Sequence, residues 1–216
     1  MKLLILDRDG VINEDSDDFI KSADEWIPIP GSLEAIARFN RAGYSVVVVT
    51  NQSGIARGLY DLDTLHNMHQ KMDLLLDEIG WHVDAVLYCP HLPKDKCSCR
   101  KPLPGMLHDV AMRYQISLSK VAMVGDSLRD VQAAMAAGAK PILVRTGKGE
   151  RTLENASIEE LAGVPVYDSL ADYADRSEDT RLNSIHRTIS YSVFFFKKKK
   201  KKIKLQTFKK DNNNKK

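Results

Sequence analysis

Two aspartates stand at the end of the first apolar run of this chain. Asp7 and Asp9 follow Leu3–Leu6 and precede Gly10, a residue type that permits a sharp turn. A spacing of two places both carboxylates on the same side of an extended backbone, where they repel each other unless a cation or a shared proton intervenes. With Mg²⁺ present, one carboxylate can attack phosphorus while the other, protonated, donates to the leaving oxygen. A solvated acidic loop is the alternative interpretation.

Three later segments place polar or charged residues after predicted strands or at a helix start. Thr50 ends an apolar run, Lys101 follows a cysteine-rich segment, and Asp126 and Asp130 stand four apart at the start of a predicted helix. Taken singly, these residues suit a strand-end turn, a surface lysine and a helix cap. Their joint placement after predicted strands or at helix starts is hard to obtain by chance.

All three cysteines of the chain fall within one short loop. Cys89, His91, Cys97 and Cys99 together supply three thiols and one imidazole. Three cysteines cannot form a closed disulfide set, and their close spacing indicates metal ligation instead. Cys₃His is a standard tetrahedral zinc set without an open position, so we predict a structural Zn²⁺ site. Three reduced thiols beside a loop histidine are the alternative.

Short β-rich runs alternate with helical patterns, which predicts a parallel sheet covered by helices on both faces. The strand predictions are Lys2–Leu6, Ser45–Val49, Val83–Tyr88, Val121–Val124, Pro141–Val144 and a shorter Val164–Tyr167. The helix predictions are Ser32–Ala42, Leu62–Ile79, a helix opened by Pro104 and reaching about Tyr114, Leu128–Ala137, and a short final helix opened by a capping box at Ser157–Glu160. The predicted fold class is therefore doubly wound, Rossmann-like α/β, with its site beyond the carboxyl ends of the strands.

Charge divides the chain into two parts. Residues 176–216 hold 14 of the 32 Lys and Arg but 3 of the 29 Asp and Glu, which leaves residues 1–175 with a net charge near −8. We predict a folded domain over 1–175 and a low-complexity basic tail over 176–216 that is disordered or not native. A polybasic arm for nucleic acid or membrane is the alternative for the tail.

The motifs resemble those of the haloacid dehalogenase phosphatases, in order, over about residues 1–150. The resemblance makes Asp7 the nucleophile, Asp9 the general acid and base, Thr50 and Lys101 phosphoryl-binding groups, and Asp126 a direct Mg²⁺ ligand. Magnesium would be held by Asp7, the backbone carbonyl of Asp9, and Asp126, with Asp130 acting from behind these ligands. The intervals between the motifs leave no room for a large cap domain, so we expect an open site bounded by loops.

A narrower resemblance is to a family of bacterial sugar-bisphosphate phosphatases of lipopolysaccharide heptose synthesis. It is carried by the stretches 7–13, 50–58, 89–91 and 97–102. The resemblance implies hydrolysis of the 7-phosphate of a heptose 1,7-bisphosphate, with Arg100 gripping the distal phosphate. The residues that would line the sugar are Asp15 to Asp18, Asn51, Gln52 and Ser53. The acidic residues of 15–18 also suit a solvated turn.

Other functions remain open at this point. Histidinol-phosphate phosphatases share the same motifs, and a nucleic-acid 3′-phosphatase is a further possibility that the acidic 1–175 region disfavours. A non-catalytic zinc or nucleic-acid binding module is the alternative from another class. No apolar run approaches the ~20 residues that span a bilayer, and the N-terminus does not resemble a secretory signal. We therefore expect a cytoplasmic, monomeric enzyme that acts on a small phosphorylated sugar, not on membranes or nucleic acid.

Overall fold

The structure, a computed structural model, describes residues 1–177. The strands are β1 (Lys2–Leu6), β2 (Tyr44–Asn51), β3 (Ala85–Cys89), β4 (Ala122–Gly125), β5 (Lys140–Val144) and β6 (Val166–Tyr167). The helices are α1 (Ser32–Arg41), α2 (Leu62–Glu78), α3 (Gly105–Tyr114), α4 (Leu128–Ala136), α5 (Gly149–Asn155) and α6 (Leu170–Arg176), with 3₁₀ turns at Pro93–Asp95 and Leu118–Lys120.

The six strands form one parallel sheet in the order β3-β2-β1-β4-β5-β6. The chain moves from β1 to β2 and β3 on one side and then returns to place β4 on the other side of β1. The strand order therefore reverses beside β1, and a doubly wound sheet opens a crevice at that point, beyond the carboxyl ends of its strands. Asp7 follows β1 and Asp126 follows β4, so both border this crevice.

Side-chain alternation along the central strands covers both faces of the sheet. Leu4 and Leu6 of β1 pack with α1, α2 and α6, whereas Leu3 and Ile5 pack with α3 and α4. Successive strand residues point to opposite faces, so a continuous apolar run supplies both cores. The doubly wound α/β prediction is confirmed, with helices on both faces.

The prediction of a helix after Ser157 is wrong. Ser157 and Glu160 do form the two reciprocal bonds of a capping box, at 3.3 and 3.0 Å, but the segment stays a turn. Ile158, the first apolar residue after Ser157, is 87% exposed, so burial of this side chain does not stabilise a helix there. The final helix is instead α6, which buries Leu170 and Ala174 and is capped by Ser169.

Several predicted boundaries also shift. Helix α3 begins at Gly105, with Pro104 immediately before it, and α5 lies in a segment for which no helix was predicted. Helix α6 ends at Arg176, one residue past the predicted domain boundary. Residues 178–216 of the predicted basic tail lie outside the described residues. Within residues 1–177, no helix combines the length and the hydropathy needed to cross a bilayer.

Candidate active site

A cavity of about 280 Å³ opens beyond the carboxyl ends of β1, β2 and β4. Its floor contains Asp7, Asp9, Thr50, Lys101, Asp126 and Asp130. Its walls include Asp15, Ser16, Asp17, Phe19, Asn51, Gln52, Ser53, Arg57, Tyr60, Pro93, Arg100, Ser127, Arg129 and Lys148. The structure thus gathers around one cavity the predicted catalytic and magnesium residues, which are spread over more than a hundred positions of the chain.

Lys101 is the buried cation of this site. Its side chain is 2% exposed, and Nζ lies 2.9 Å from Asp7 Oδ2 and 2.6 Å from Asp130 Oδ1. The same ammonium donates to the carbonyl of Val49 at 2.8 Å. An ammonium this deeply buried needs both carboxylates to offset its lost hydration. Lys101 therefore holds Asp7, which follows β1, close to Asp130 in α4.

Asn51 anchors the backbone that carries this lysine. Its Nδ2 donates to the Lys101 carbonyl at 3.0 Å, and its Oδ1 accepts from the Lys101 N–H at 3.1 Å. Both ends of the amide are thereby used within the protein. Asn51, for which a sugar contact is predicted, lines the cavity, but its side chain is committed to holding Lys101.

Asp9 is surrounded by donors. It accepts from Arg8 Nη2 at 2.8 Å, Asn13 Nδ2 at 2.9 Å and Gln52 Nε2 at 2.8 Å. Burial alone would raise the pKa of Asp9, but the Arg8 guanidinium and these hydrogen bonds outweigh it and lower the pKa below its usual value. These contacts therefore favour the carboxylate form of Asp9.

The groups behind Asp9 fix its orientation. Arg8 is fully buried, and its Nη1 lies 3.3 Å from His69 Nε2 on α2. Burial and Arg8 lower the pKa of His69 to about 4, so the neutral ring accepts from the guanidinium. Tyr60, whose pKa burial raises to about 12, donates to Gln52 Oε1 at 2.5 Å. The Gln52 amide is thereby oriented with Nε2 toward Asp9 and Thr50 Oγ1.

Three carboxylates converge on the other side of the floor. Oxygen atoms of Asp7, Asp126 and Asp130 all lie within 4.8 Å of one another. Burial raises the pKa of Asp7 to about 7, with Lys101 opposing the shift and Asp130 adding to it. Burial, then Asp130 and Asp7, raise the pKa of Asp126 well above its usual value. Three buried negative charges against one lysine leave an excess that a hard divalent cation would neutralise, and the oxygen donors suit Mg²⁺.

Asp130 is held differently from its two neighbours. Its Oδ2 accepts from the backbone N–H of Ser127 at 3.0 Å and from the Ser127 hydroxyl at 2.5 Å, closing the capping box of α4. Its Oδ1 faces Lys101. These contacts engage both oxygens of the carboxylate.

Two glycines close around Asp126. A Cβ on Gly10 would lie 2.0 Å from Asp126 Oδ2, and one on Gly147 would lie 2.3 Å from the same atom. Both residues have positive φ, a conformation that L side chains rarely adopt. The backbone N–H of Lys148 donates to Asp126 Oδ2 at 2.8 Å. Only residues without a side chain allow this carboxylate to sit against the backbone.

Replacing Gly10 by Ala is expected to displace Asp126 and to weaken Mg²⁺ binding by at least about tenfold. The left-handed conformation alone costs about 1–2 kcal/mol, and overpacking adds a comparable amount, so unfolding free energy should fall by about 3 kcal/mol. Gly43→Ala is the matched control, since φ is +82° there and nothing lies within 4 Å of the added Cβ. Equal losses in the two variants, by denaturant unfolding and magnesium titration, would contradict the close packing around Asp126.

The cysteine-rich loop forms a compact donor cluster. Cys89 Sγ lies 3.7 Å from Cys97 Sγ, 3.3 Å from Cys99 Sγ and 3.6 Å from His91 Nδ1. A tetrahedral ion with Zn–S bonds of about 2.3 Å separates its ligands by about 3.7 Å, close to these distances. Burial and the neighbouring thiols raise the pKa of Cys99 to about 12, so the three thiols cannot all ionise without a cation. The donor set therefore fits Zn²⁺.

Only part of the acidic loop predicted to line the sugar borders the cavity. Asp15 lies at the cavity wall in an ion pair with Lys148 Nζ. Asp17 lies at the exposed rim and pairs with Arg151 at 2.9 Å. Asp18 is exposed and does not line the cavity, so the structure gives no support to its predicted substrate contact. Ser53 is buried at the cavity wall.

The sequence interpretation did not single out several lining residues. Arg57 lies in the loop after β2, Arg129 in the first turn of α4, and Lys148 in the loop after β5. Each follows the carboxyl end of a strand, which is where doubly wound folds place their ligand contacts, so that rule was the available signal. Arg100, which was predicted, also lines the cavity, and burial followed by Arg129 lowers its pKa.

This fold, with acidic groups after β1 and β4 and a buried lysine between them, defines a hydrolase of the haloacid dehalogenase type. Residues 98–173 match the family model described as HAD-hydrolase-like. D-glycero-beta-D-manno-heptose-1,7-bisphosphate 7-phosphatase of Bordetella bronchiseptica is 56% identical over 176 residues, covering 82% of this chain and 97% of that protein. The enzyme of the same name from Neisseria meningitidis is 50% identical over 81% of this chain and 93% of its own length.

Two solved structures of phosphatases also resemble this chain. The crystal structure of D,D-heptose 1,7-bisphosphate phosphatase from B. bronchiseptica, complexed with magnesium and phosphate, superposes with a TM-score of 0.79 at 55% identity, covering 82% of this chain and 97% of that chain. The corresponding phosphatase from Burkholderia thailandensis gives 0.64 at 44% identity, covering 81% and 96%. The chain belongs to the D-glycero-beta-D-manno-heptose-1,7-bisphosphate 7-phosphatase family. These relatives favour that interpretation over a histidinol-phosphate phosphatase and over a non-catalytic zinc or nucleic-acid binding module.

Proposed function

We propose that this protein hydrolyses the 7-phosphate of D-glycero-beta-D-manno-heptose 1,7-bisphosphate and leaves the 1-phosphate in place. The proposal is supported by relatives of that name at 50–56% identity over nearly their whole length. The observation that carries the chemistry is the pair Asp7 and Asp9 on the cavity floor, with Lys101 Nζ 2.9 Å from the first. The arginines on the walls suit a substrate with a second phosphate.

The first chemical step is assigned to Asp7. A carboxylate oxygen of Asp7 attacks phosphorus, an aspartyl–phosphate bond forms, and the bond from phosphorus to the sugar oxygen breaks. Lys101 and Thr50 lie on the floor beside Asp7 and offset the negative charge of the moving phosphoryl group. The departing sugar oxygen takes its proton from Asp9.

Asp9 must gain that proton when substrate enters. Its donors favour the carboxylate before substrate binds, but a phosphate dianion beside it favours the neutral acid, since like charges raise a carboxyl pKa. Once it has protonated the sugar oxygen, Asp9 is again a carboxylate. It then takes a proton from the water that attacks the aspartyl-phosphate, and the Asp7–phosphorus bond breaks to release inorganic phosphate.

The acidic cluster is assigned to Mg²⁺, held by Asp7, the backbone carbonyl of Asp9 and Asp126. When bound, the ion neutralises charge on the phosphoryl oxygens. Asp130 holds Lys101 in place through its 2.6 Å contact and leaves the metal to the other residues. The fit rests on the excess of carboxylates over cations among these buried groups.

The cysteine-rich cluster is assigned to one structural Zn²⁺ with four protein ligands. Arg100 and Lys101 directly follow the last ligand, Cys99, and the Arg100 guanidinium donates to the carbonyl of His91 at 3.1 Å. The loop contains only a short 3₁₀ turn at Pro93–Asp95. A cation that ties its two ends together would therefore fix both basic residues against the phosphate site.

Replacing Cys97 by Ser is expected to lower bound zinc from one ion per chain to near zero. Tm should fall by several degrees and kcat/KM should fall, because the loop that carries Lys101 loses its cross-link. Elemental analysis, thermal unfolding and phosphate release check the three effects. Ser98→Ala, at an exposed neighbour in the same loop, is the control. Unchanged zinc content in Cys97→Ser would reject this ligand set.

We also propose that the enzyme acts in the cytoplasm as a monomer, on sugar phosphates destined for lipopolysaccharide. It is not expected to need a membrane or nucleic acid. Sedimentation at micromolar concentration tests the monomer, and a dimer would reject it.

The substrate assignment is tested by phosphate release with Mg²⁺ from three compounds. These are heptose 1,7-bisphosphate, histidinol phosphate and a 3′-phosphorylated oligonucleotide. A preference of about a hundredfold for the bisphosphate, near 3 kcal/mol in transition-state binding, is expected. Faster hydrolysis of histidinol phosphate would keep the chemistry and overturn the substrate. No hydrolysis and no phosphorylated Asp7 would overturn both.

A further inference from the structure

Gln52 is a buried residue whose side-chain amide is used at both ends within the protein. It is 3% exposed, and its Nε2 donates to Asp9 Oδ2 at 2.8 Å and to Thr50 Oγ1 at 2.9 Å. Its Oε1 accepts from the Tyr60 hydroxyl at 2.5 Å. One amide therefore contacts both the proposed general acid and a phosphoryl-binding hydroxyl, and Tyr60 lies at its other end.

The two carboxylate oxygens of Asp9 have different surroundings. Oδ1 accepts from Arg8 Nε at 3.0 Å, from Arg8 Nη2 at 2.8 Å and from Asn13 Nδ2 at 2.9 Å. Oδ2 accepts from Gln52 Nε2 and, at 3.1 Å, from Arg8 Nη2. Because fewer donors surround Oδ2, a proton on Asp9 is better accommodated at that oxygen, beside the Gln52 amide.

The direction in which the Gln52 amide faces decides where that proton can go. With Nε2 toward Asp9, as in the structure, the amide presents only donors, so a proton on Oδ2 finds no acceptor in Gln52. In the reversed amide, Oε1 would face Oδ2 and accept the proton in a hydrogen bond. The proton would then be held by the protein instead of reaching the oxygen of the departing sugar.

Tyr60 holds the amide in the direction that leaves the proton free. A phenol hydroxyl donates well but accepts weakly, because its oxygen lone pair is delocalised into the ring, so it binds Oε1 better than Nε2. Tyr60 is 9% exposed, and its ring packs so closely against Gly54 that a Cβ there would lie 2.2 Å from Tyr60 Cε1. The close packing fixes the ring and therefore the position of its hydroxyl.

We propose that Tyr60 is a positioning residue for proton transfer. Its hydroxyl holds the Gln52 amide with Oε1 turned away from Asp9, so that the proton of Asp9 is delivered to the departing sugar oxygen. The proposal rests on the proposed function, in which Asp9 is the general acid. Because Tyr60 acts through Gln52 on a proton, its effect is largest for substrates whose leaving oxygen must be protonated.

The test compares two substrates in the wild type and in Tyr60→Phe, which keeps the ring and removes the hydroxyl. Heptose 1,7-bisphosphate releases a sugar oxygen that needs a proton, whereas p-nitrophenyl phosphate releases a phenolate that needs none. The ratio kcat/KM reports the steps up to departure of the leaving group. It should fall about tenfold on the bisphosphate and no more than about twofold on p-nitrophenyl phosphate. Tyr114→Phe, on α3 and away from the cavity wall, should change neither value.

A double variant tests whether Tyr60 acts through Gln52. Gln52→Met removes the amide, so adding Tyr60→Phe to it should lower kcat/KM on the bisphosphate by less than about a further twofold. A full tenfold additional loss would show that the hydroxyl acts by another route and would overturn the positioning role.

The comparison of substrates can also overturn the proposal. Equal losses on both substrates in Tyr60→Phe would show that the hydroxyl supports the cavity in general, and no loss on either would show that it is not needed. Both results would leave the proposed function intact. A wild-type enzyme that hydrolyses p-nitrophenyl phosphate but not the bisphosphate would overturn the proposed function, and this role with it.

Discussion

Replacement of Asp7 by Asn is expected to lower kcat by at least about 10⁴-fold with Mg²⁺ saturating, because an amide supplies no anionic oxygen to attack phosphorus. Asparagine has nearly the same shape as aspartate. The change removes the buried Asp7 carboxyl group, whose pKa burial already raises to about 7. Tm in the absence of added metal should therefore stay the same or rise slightly. Steady-state phosphate release and thermal unfolding measure the two effects.

Asp109→Asn is the matched control, because Asp109 is an exposed aspartate on α3 that does not line the cavity. Acid-quenched wild-type protein should carry phosphate on Asp7, and the Asp7→Asn protein should carry none. Mass spectrometry must show that the asparagine has not deamidated. Substantial turnover by intact Asp7→Asn protein would remove Asp7 from its assigned role.

Replacement of Lys101 by Met is expected to reduce kcat by about 10³-fold and the free energy of unfolding by about 3 kcal/mol. Asp7 and Asp130 would remain buried without the ammonium that lies within 3 Å of both. Leaving one partner of a buried ion pair uncompensated costs far more than losing an exposed pair. Added Mg²⁺ should recover part of the stability by supplying the missing positive charge.

Lys148→Met provides the comparison for stability. Lys148 also pairs with a cavity carboxylate, Asp15, but its side chain is 28% exposed, so its loss should cost less than about 1 kcal/mol. Denaturant unfolding with and without Mg²⁺ separates the two cases. A similar loss of unfolding free energy in both variants would show that burial of the Lys101 ion pairs adds no stability beyond that of an exposed ion pair.

The pH dependence of the unfolding free energy also depends on the buried Asp7 carboxyl group. The pKa of Asp7 in the folded protein, about 7, lies above its ordinary value of 3.8, so the folded state retains a proton that the unfolded state has lost. Stability of the protein without added metal should therefore fall as pH rises from about 4 to about 7. The fall should be steeper in Lys101→Met, where burial of Asp7 and Asp130 is unopposed.

Sequence reasoning predicted the elements where local pattern and packing agree. Strand β1 has the predicted bounds, because Leu3–Leu6 is apolar throughout and is buried on both faces. Local pattern failed at Ser157, where the capping box encloses the exposed Ile158 and the segment forms only a turn. The similar Ser-x-x-acid pattern at Ser169 caps a real helix because Leu170 and Ala174 pack into the core.

Some residues of the active site were likewise predictable from the sequence, and others were not. Motif residues such as Asp7 and Asp126 were predictable because each directly follows a recognisable strand. Contacts between residues far apart in the chain were not predictable. No local pattern indicates that Lys148 pairs with Asp15 or that the Arg57 guanidinium lies over the Phe19 ring. The commitment of Asn51 to the Lys101 backbone likewise depends on a contact between residues 50 positions apart.

The strand order has a consequence for how the protein folds during synthesis. Strand β1 pairs with β2 on one side and with β4 on the other, so its second neighbour is made about 115 residues after it. Until β4 has been synthesised, Asp7 lacks the backbone bond that its N–H donates to Val124 at 2.8 Å, and Lys101 lacks Asp130. Pairings this distant along the chain form slowly. In a nascent chain that ends before β4, one edge of β1 is therefore unpaired and the phosphate site is incomplete. Catalytic activity requires the second half of the sheet.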